Sequence, residues 1–215
     1  MSRSEILAYA HELGITEILH FTTNKGLVGI FASGGILSRD RLEEDKYIEH
    51  IYTPNCEDRL KDADWTDYVN LSISRINGRM LGVSGNWHNT EDVWWVILSL
   101  DVSVLDAPGV YFTTTNNTYS NCVIRGTGVD GLKALFAGAV EWGWYGSKIS
   151  RYPSMPDEYT TDPQAEVLYP GKVPISALRK IYVKEGEHQD AVYGMLSPFP
   201  SVPRVPVLNA PEVFR

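Results

Sequence analysis

The stretch DVWWVILSLDV, Asp92 to Val102, constrains the fold more than any other. Between its two aspartates only Ser99 is polar. A strand with one face in water alternates apolar and polar residues, so this run predicts a central strand covered on both faces. Weaker strand signals surround it. YVNLSIS (Tyr68 to Ser74) alternates in residues that suit a pleated surface, and GVYFTTT (Gly109 to Thr115) opens into the turn-prone NNTYSN. Glu17 to Thr22, AEVLY and LRKIYV supply three more short strands.

Helical patterns fall between the strands. Ser4 precedes EILAYAHELG, where Ile6, Leu7, Tyr9, Ala10 and Leu13 recur at helical spacing and Gly14 supplies the stop. Asn24 reads as the cap on KGLVGIFASGG, which Gly34 and Gly35 close. Gly131 to Trp142 and EGEHQDAVYGML read as two later helices, and the Pro-rich tail from Pro198 to Pro211 as an extended segment against the body. No repeat or low-complexity linker divides the chain. The pattern predicts one α+β domain, residues 1–215, with several short strands around a mixed, mostly antiparallel core.

Charge narrows the function classes. A formal charge of -8 argues against a generally basic surface, so any nucleic-acid contact must be local. Arg39 to Asp67 holds five cations and ten acids in 29 residues, the composition of a solvated excursion, and such loops often lie over binding sites. Cys56 and Cys122 form neither a C-x-x-C pair nor a metal cluster with the scattered histidines, which predicts ordinary thiols and no metal. The opening MSRSEILAYAHELGITEILHF contains neither a signal-peptide core nor a membrane span, which predicts a cytoplasmic location. P-loop, dinucleotide-fold glycine, zincin and nucleophile-elbow motifs are all absent from the sequence.

Four features carry chemistry. His20, near the end of an apolar strand, is either a packed histidine bonded to a backbone carbonyl or a ligand contact. Arg59, before a strand and among acids, is either a surface ion pair or a fork for a pyrophosphate, with Arg39 and Arg41 as rivals. Glu166, between Ala165 and Val167, either turns toward water or serves glycosidic-bond chemistry by binding a sugar hydroxyl and stabilising an oxocarbenium-like centre. The acid-free segment Trp142 to Pro153 holds Trp142, Trp144, Tyr145, Lys148, Arg151 and Tyr152. It is either a core-capping loop or a stacking platform for single-stranded nucleic acid, with about 1 to 3 kcal/mol per stacked base.

LHFTTNKGLVGIFASGGILS, DYVNLSIS, YFTTTNNT and, most specifically, QAEVLYPGKVPISALRKIYV resemble the DarT family of DNA ADP-ribosyltransferase toxins, in the same order over most of the chain. The resemblance implies an ADP-ribosyltransferase-like fold in which two small, mostly antiparallel sheets form an NAD cleft with peripheral helices. It implies NAD as co-substrate, single-stranded DNA as substrate and an antitoxin partner that removes ADP-ribose. Glu166 matches the catalytic glutamate and Arg59 the functional arginine, which would also serve NAD. His20 and Thr22 match the NAD-contacting start of the fold, and Ser38, in GGILS, would line the cleft. The loop Trp142 to Pro163 would hold the DNA. The short form of YVNLSIS looks closer to the guanine-modifying than to the thymine-modifying branch. Competing expectations are transfer to protein or RNA, and a non-catalytic single-strand-binding module that needs no NAD.

Overall fold

The computed structural model describes residues 4–44, 64–87, 92–143 and 146–215. Helix α1 (Glu5–Glu12) begins where the Ser4 side chain accepts a bond from the Leu7 N–H. It leads into strand β1 (Ile18–Thr23), helix α2 (Asn24–Ser33), strand β2 (Gly35–Leu37) and helix α3 (Arg39–Glu44). Strand β3 (Tyr68–Ile73), helix α4 (Gly78–Trp87) and strands β4 (Trp95–Leu100), β5 (Tyr111–Thr113) and β6 (Arg125–Gly126) follow. Helix α5 (Gly128–Ala134) precedes a hairpin of β7 (Ala139–Glu141) and β8 (Lys148–Ser150). The chain ends with β9 (Glu166–Pro170), β10 (Lys172–Pro174), β11 (Leu178–Val183), helix α6 (Glu187–Leu196) and β12 (Val207–Asn209).

Eight strands form one sheet in the order β12-β11-β4-β1-β3-β9-β5-β6. All its pairings are antiparallel except β11 with β12. It consists of two four-stranded halves joined only at Ile18↔Ile73 and Leu19↔Ser72. Beyond that join β1 stays with β4 as far as Thr23, while β3 stays with β9 back to Tyr68. The halves part there and leave a cleft, which is the two-sheet arrangement expected from the family resemblance.

The apolar run is β4, between β1 and β11, and both of its faces are covered. Val96, Leu98 and Leu100 join the main core with Leu27, Ile30 and Phe31 of α2 and Val192 and Leu196 of α6. Ile97, pointing the other way, packs with Leu19, Ile76, Leu81 and Tyr182. The Pro-rich tail lies on the body as expected, burying Val202 and pairing Val207 to Asn209 with β11.

Two local expectations change, and one helix is not foreseen. Thr23, not Asn24, caps α2, accepting from the Gly26 N–H; the Asn24 side chain instead bridges the Asp92 carbonyl and the Trp94 N–H. The helix expected over Gly131 to Trp142 stops early and Ala139 to Glu141 become a hairpin strand. Thr161 explains the stop, because its N–H and hydroxyl bond the Leu135 and Ala137 carbonyls. Helix α4 has no strong sequence signal, since Gly78, Gly82 and Gly85 weaken its propensity, yet the Asn77 side chain caps it at Met80.

Candidate active site

Glu166 is the first residue of β9, where that strand lies between β3 and β5. The register pairs Asn70 and Tyr111 with Leu168, and Thr113 with Glu166. Paired residues share a face and side chains alternate, so Tyr68, Asn70, Tyr111 and Glu166 lie on one face. The Asn70 amide donates to Glu166 Oε1 at 2.8 Å, and the Asn117 N–H donates to Oε2 at 2.8 Å. Glu166's own N–H bonds the buried Thr113 hydroxyl at 3.2 Å.

His20, from the other half of the sheet, lines the same cleft as this carboxylate. Its Nδ1 lies 3.0 Å from the Asn70 carbonyl, which accepts the ring N–H and sets the imidazole plane. Asn70 thus holds Glu166 with its side chain and His20 with its backbone, across the point where β1 and β3 part. His20, Asn70, Ser72, Asn77, Met80 and Glu166 line the cleft.

The segment leading to Glu166 is braced. Thr160, Thr161, Asp162 and Gln164 are buried. Asp162 accepts from the Thr115 hydroxyl at 2.6 Å and from the Gln164 N–H at 2.8 Å. Burial raises its pKa above the usual aspartate value, while those two bonds pull in the opposite direction. Arg75 donates to the Thr160 carbonyl at 2.9 Å and lies 4.8 Å over the Tyr159 ring.

The other candidates fall in several places. Thr22 is buried, its hydroxyl against Gly26 of α2. Ser38 is buried and donates to Asp67 Oδ1 at 2.8 Å; Arg41 donates to the same oxygen at 3.0 Å. Both bonds, that of Arg41 first, hold the Asp67 carboxyl below its ordinary range. Arg39 opens α3. Glu166 and Pro170 are four positions apart along β9, about 13 Å at the usual strand rise, and this cluster sits beside Pro170. Arg59, Trp144 and Tyr145 lie outside the described residues.

Trp142 is half-buried at the end of the β7–β8 hairpin, its backbone N–H bonded to the Ser147 carbonyl, and Lys148 is exposed on β8. Tyr152 is 50% exposed. Arg151 donates to the Tyr159 and Pro156 carbonyls, closing the loop on itself. Asn70, Asn117 and Arg75 escape a reading of the sequence. Only Asn70 leaves a signal, as an amide on the polar face of an alternating strand.

Among the described residues one group has metal-ligand spacing, Glu185, Glu187 and His188 at the start of α6, and none of the three lines the cleft. No helix among the described residues is long and apolar enough to cross a membrane.

A carboxylate at the head of a strand, lining with a histidine a cleft between parted antiparallel half-sheets, is the arrangement expected of an ADP-ribosyltransferase. The chain belongs to the DarT family of NAD-dependent, single-stranded-DNA ADP-ribosyltransferases: the family model described as "ssDNA thymidine ADP-ribosyltransferase, DarT" matches residues 19–215. The fold is similar to that of Thermus sp. 2.9 DarT in complex with NAD+, with a TM-score of 0.63 and 17% identity over 93% of this chain and 98% of that one. The same Thermus protein in complex with ADP-ribosylated ssDNA gives 0.62 and 18% identity over 94% and 97%. Thermosipho africanus DarTG in complex with ADP-ribose gives 0.62 and 16% identity over 93% of this chain but 51% of that one. At such identities these likenesses establish the fold alone. No curated protein matches the chain by sequence.

Proposed function

We propose that this protein attaches ADP-ribose from NAD to a base of single-stranded DNA, with Glu166 as its catalytic carboxylate. The observation that carries the reading is the hold on Glu166: both oxygens are hydrogen-bonded, and the residue lines the cleft together with His20. The donor set suits the nicotinamide–ribose end of NAD, since a carboxylate accepts from ribose hydroxyls and stabilises developing positive charge at C1′. A base nitrogen forms the new bond to C1′, the bond from C1′ to nicotinamide breaks, and its electron pair leaves with nicotinamide. The proton released from the base nitrogen passes to Glu166 and then to water.

In this reading His20 and Thr22 attend the nicotinamide end, Arg59 steadies the phosphates, and Ser38 belongs to the NAD cleft wall. Trp142, Trp144, Tyr145, Lys148, Arg151 and Tyr152 hold the DNA strand. The exposure of Lys148 and Tyr152 supports a contact role for those two, and the carbonyl bonds of Arg151 support a role in shaping the loop. An unpaired base avoids the extrusion cost of a duplex, a few kcal/mol.

Guanine is the proposed acceptor, supported by the short β3 strand with Tyr68 as its one aromatic residue; the family description names thymidine. A toxin role in the cytoplasm beside an antitoxin is part of the proposal, supported by the Thermosipho africanus DarTG likeness. The test is mass spectrometry of single-stranded oligonucleotides, each with one guanine or one thymine, incubated with the protein and NAD. An ADP-ribose adduct on the guanine set is expected. An adduct on thymine alone overturns the base assignment, and transfer only to protein or RNA overturns the substrate.

A further inference from the structure

Glu166 is held by residues that are themselves held. Asn117, whose N–H meets Glu166 Oε2, is 4% exposed and is bracketed by one guanidinium: Arg125 Nε donates to its Oδ1 at 2.7 Å and Nη2 to its carbonyl at 2.8 Å. Gripping a residue by its side chain and its carbonyl together leaves its N–H little freedom to swing. The guanidinium lies 5.2 Å over the Trp65 ring, which packs on Tyr68 and Tyr111. Arg125 is anchored in turn by β6, whose partner β5 places Thr113 beside Glu166. On the other side Asn70 joins Oε1 to the His20 imidazole.

We propose that Asn70 and Arg125 are positioning residues of the transfer reaction, Asn70 by gripping Glu166 directly and Arg125 by aiming the Asn117 N–H at it. The proposal rests on the reading of Glu166 as the catalytic carboxylate. Small misplacements at a reacting centre can cost about 100-fold in rate, and hydrogen bonds to a carboxylate favour its ionised form. Both consequences are measurable.

The experiment compares the full chain with Arg125→Ala, Arg125→Lys, Asn70→Asp and Glu166→Gln. It records kcat and KM for NAD with a single-stranded oligonucleotide, thermal melting, and the titration of the Glu166 carboxyl by 13C NMR, assigned by its disappearance in Glu166→Gln. Arg125→Ala is expected to lower kcat about 100-fold with KM for NAD little changed. Arg125→Lys is expected not to rescue it, because an ammonium cannot make the two-point bracket. Both changes should raise the Glu166 titration midpoint by weakening the N–H bond. Asn70→Asp sets a second carboxylate against the first and should raise the midpoint of the pair by about a unit or more, moving the acid limb of the kcat/KM profile with it.

Wild-type kcat in Arg125→Lys, or an unmoved midpoint in both Arg125→Lys and Asn70→Asp, overturns the proposal. If the Arg125 variants do not fold, Asn70→Asp decides on its midpoint alone. If Glu166→Gln keeps the wild-type rate, the catalytic reading has failed. If Glu166→Gln abolishes transfer while the other variants behave as wild type, only the positioning has failed.

Discussion

The two ends of strand β9 each hold a carboxylate, and they hold it differently. At the Glu166 end the grip comes from an amide and a backbone N–H, and the carboxylate lines the cleft. At the Pro170 end the carboxylate is Asp67, gripped by the Arg41 guanidinium and the Ser38 hydroxyl. Its backbone carbonyl accepts the Gly171 N–H, and the Gly171 carbonyl accepts from Ser38. Gly171 sits at φ 67, and a Cβ there would lie 2.6 Å from the Arg41 guanidinium carbon. One end spends its hydrogen bonds on aiming a side chain, the other on closing the turn into β10. The most specific run of the family resemblance, QAEVLYPGKVP, therefore joins the carboxylate proposed as catalytic to a structural turn.

The largest expected effect separates the two ends by rate. Glu166→Gln should lower ADP-ribose transfer by about 10²- to 10⁴-fold, measured as nicotinamide release, with melting little affected. If Asp67→Asn lowers the rate as far, the two ends are not distinct in kind.

Gly171→Val tests the structural end. It puts a β-branched residue on a left-handed backbone and makes the exposed Arg41 side chain swing aside, and the backbone strain should show in denaturant titration as a loss of about 1 to 3 kcal/mol. A midpoint equal to wild type would mean that the turn rearranges without cost.

A smaller effect concerns Asp162, which stands between the hairpin and Glu166. Burial raises its folded pKa, so between the unfolded value, about 4, and that raised value the folded state binds more protons. Its contribution to stability therefore falls as pH rises through that window, and the penalty persists above it. Asp162→Asn should remove this slope, flattening the melting temperature against pH from about 4 upward. An unchanged slope assigns the pH dependence to other groups.

The smallest effect is expected of Arg41→Ala, which removes a surface ion pair worth about 0 to 1 kcal/mol and fading with salt. Asp67 has a depressed folded pKa, so its contribution is present above the unfolded value and is lost as pH falls through the folded one. The variant should shrink that acid-side loss in low-salt melts.

Much of the scaffold was legible in the residues. The apolar run had to become a doubly covered strand, because no alternation offered water a face. Ser4 had to cap a helix, and Glu166 stood out because a lone carboxylate in an apolar strand is costly without partners. Such features are local, set by side-chain period, capping chemistry and the hydration of a single group. The partners of Glu166 were decided only by tertiary structure. Asn70 lies 96 positions from it and Asn117 49, and they meet there because β9 inserts between β3 and β5, an order that no local preference records. His20 meets Asn70 for the same reason: β1 pairs with the end of β3 and then leaves it, so a side chain bridges the gap where the backbone ladder stops. The hairpin of Ala139 to Glu141 overrode a helical pattern because Thr161, distant in sequence, bonded the carbonyls at the helix end. Local preference names the elements, whereas the aim of the Glu166 side chain depends on which strands become neighbours.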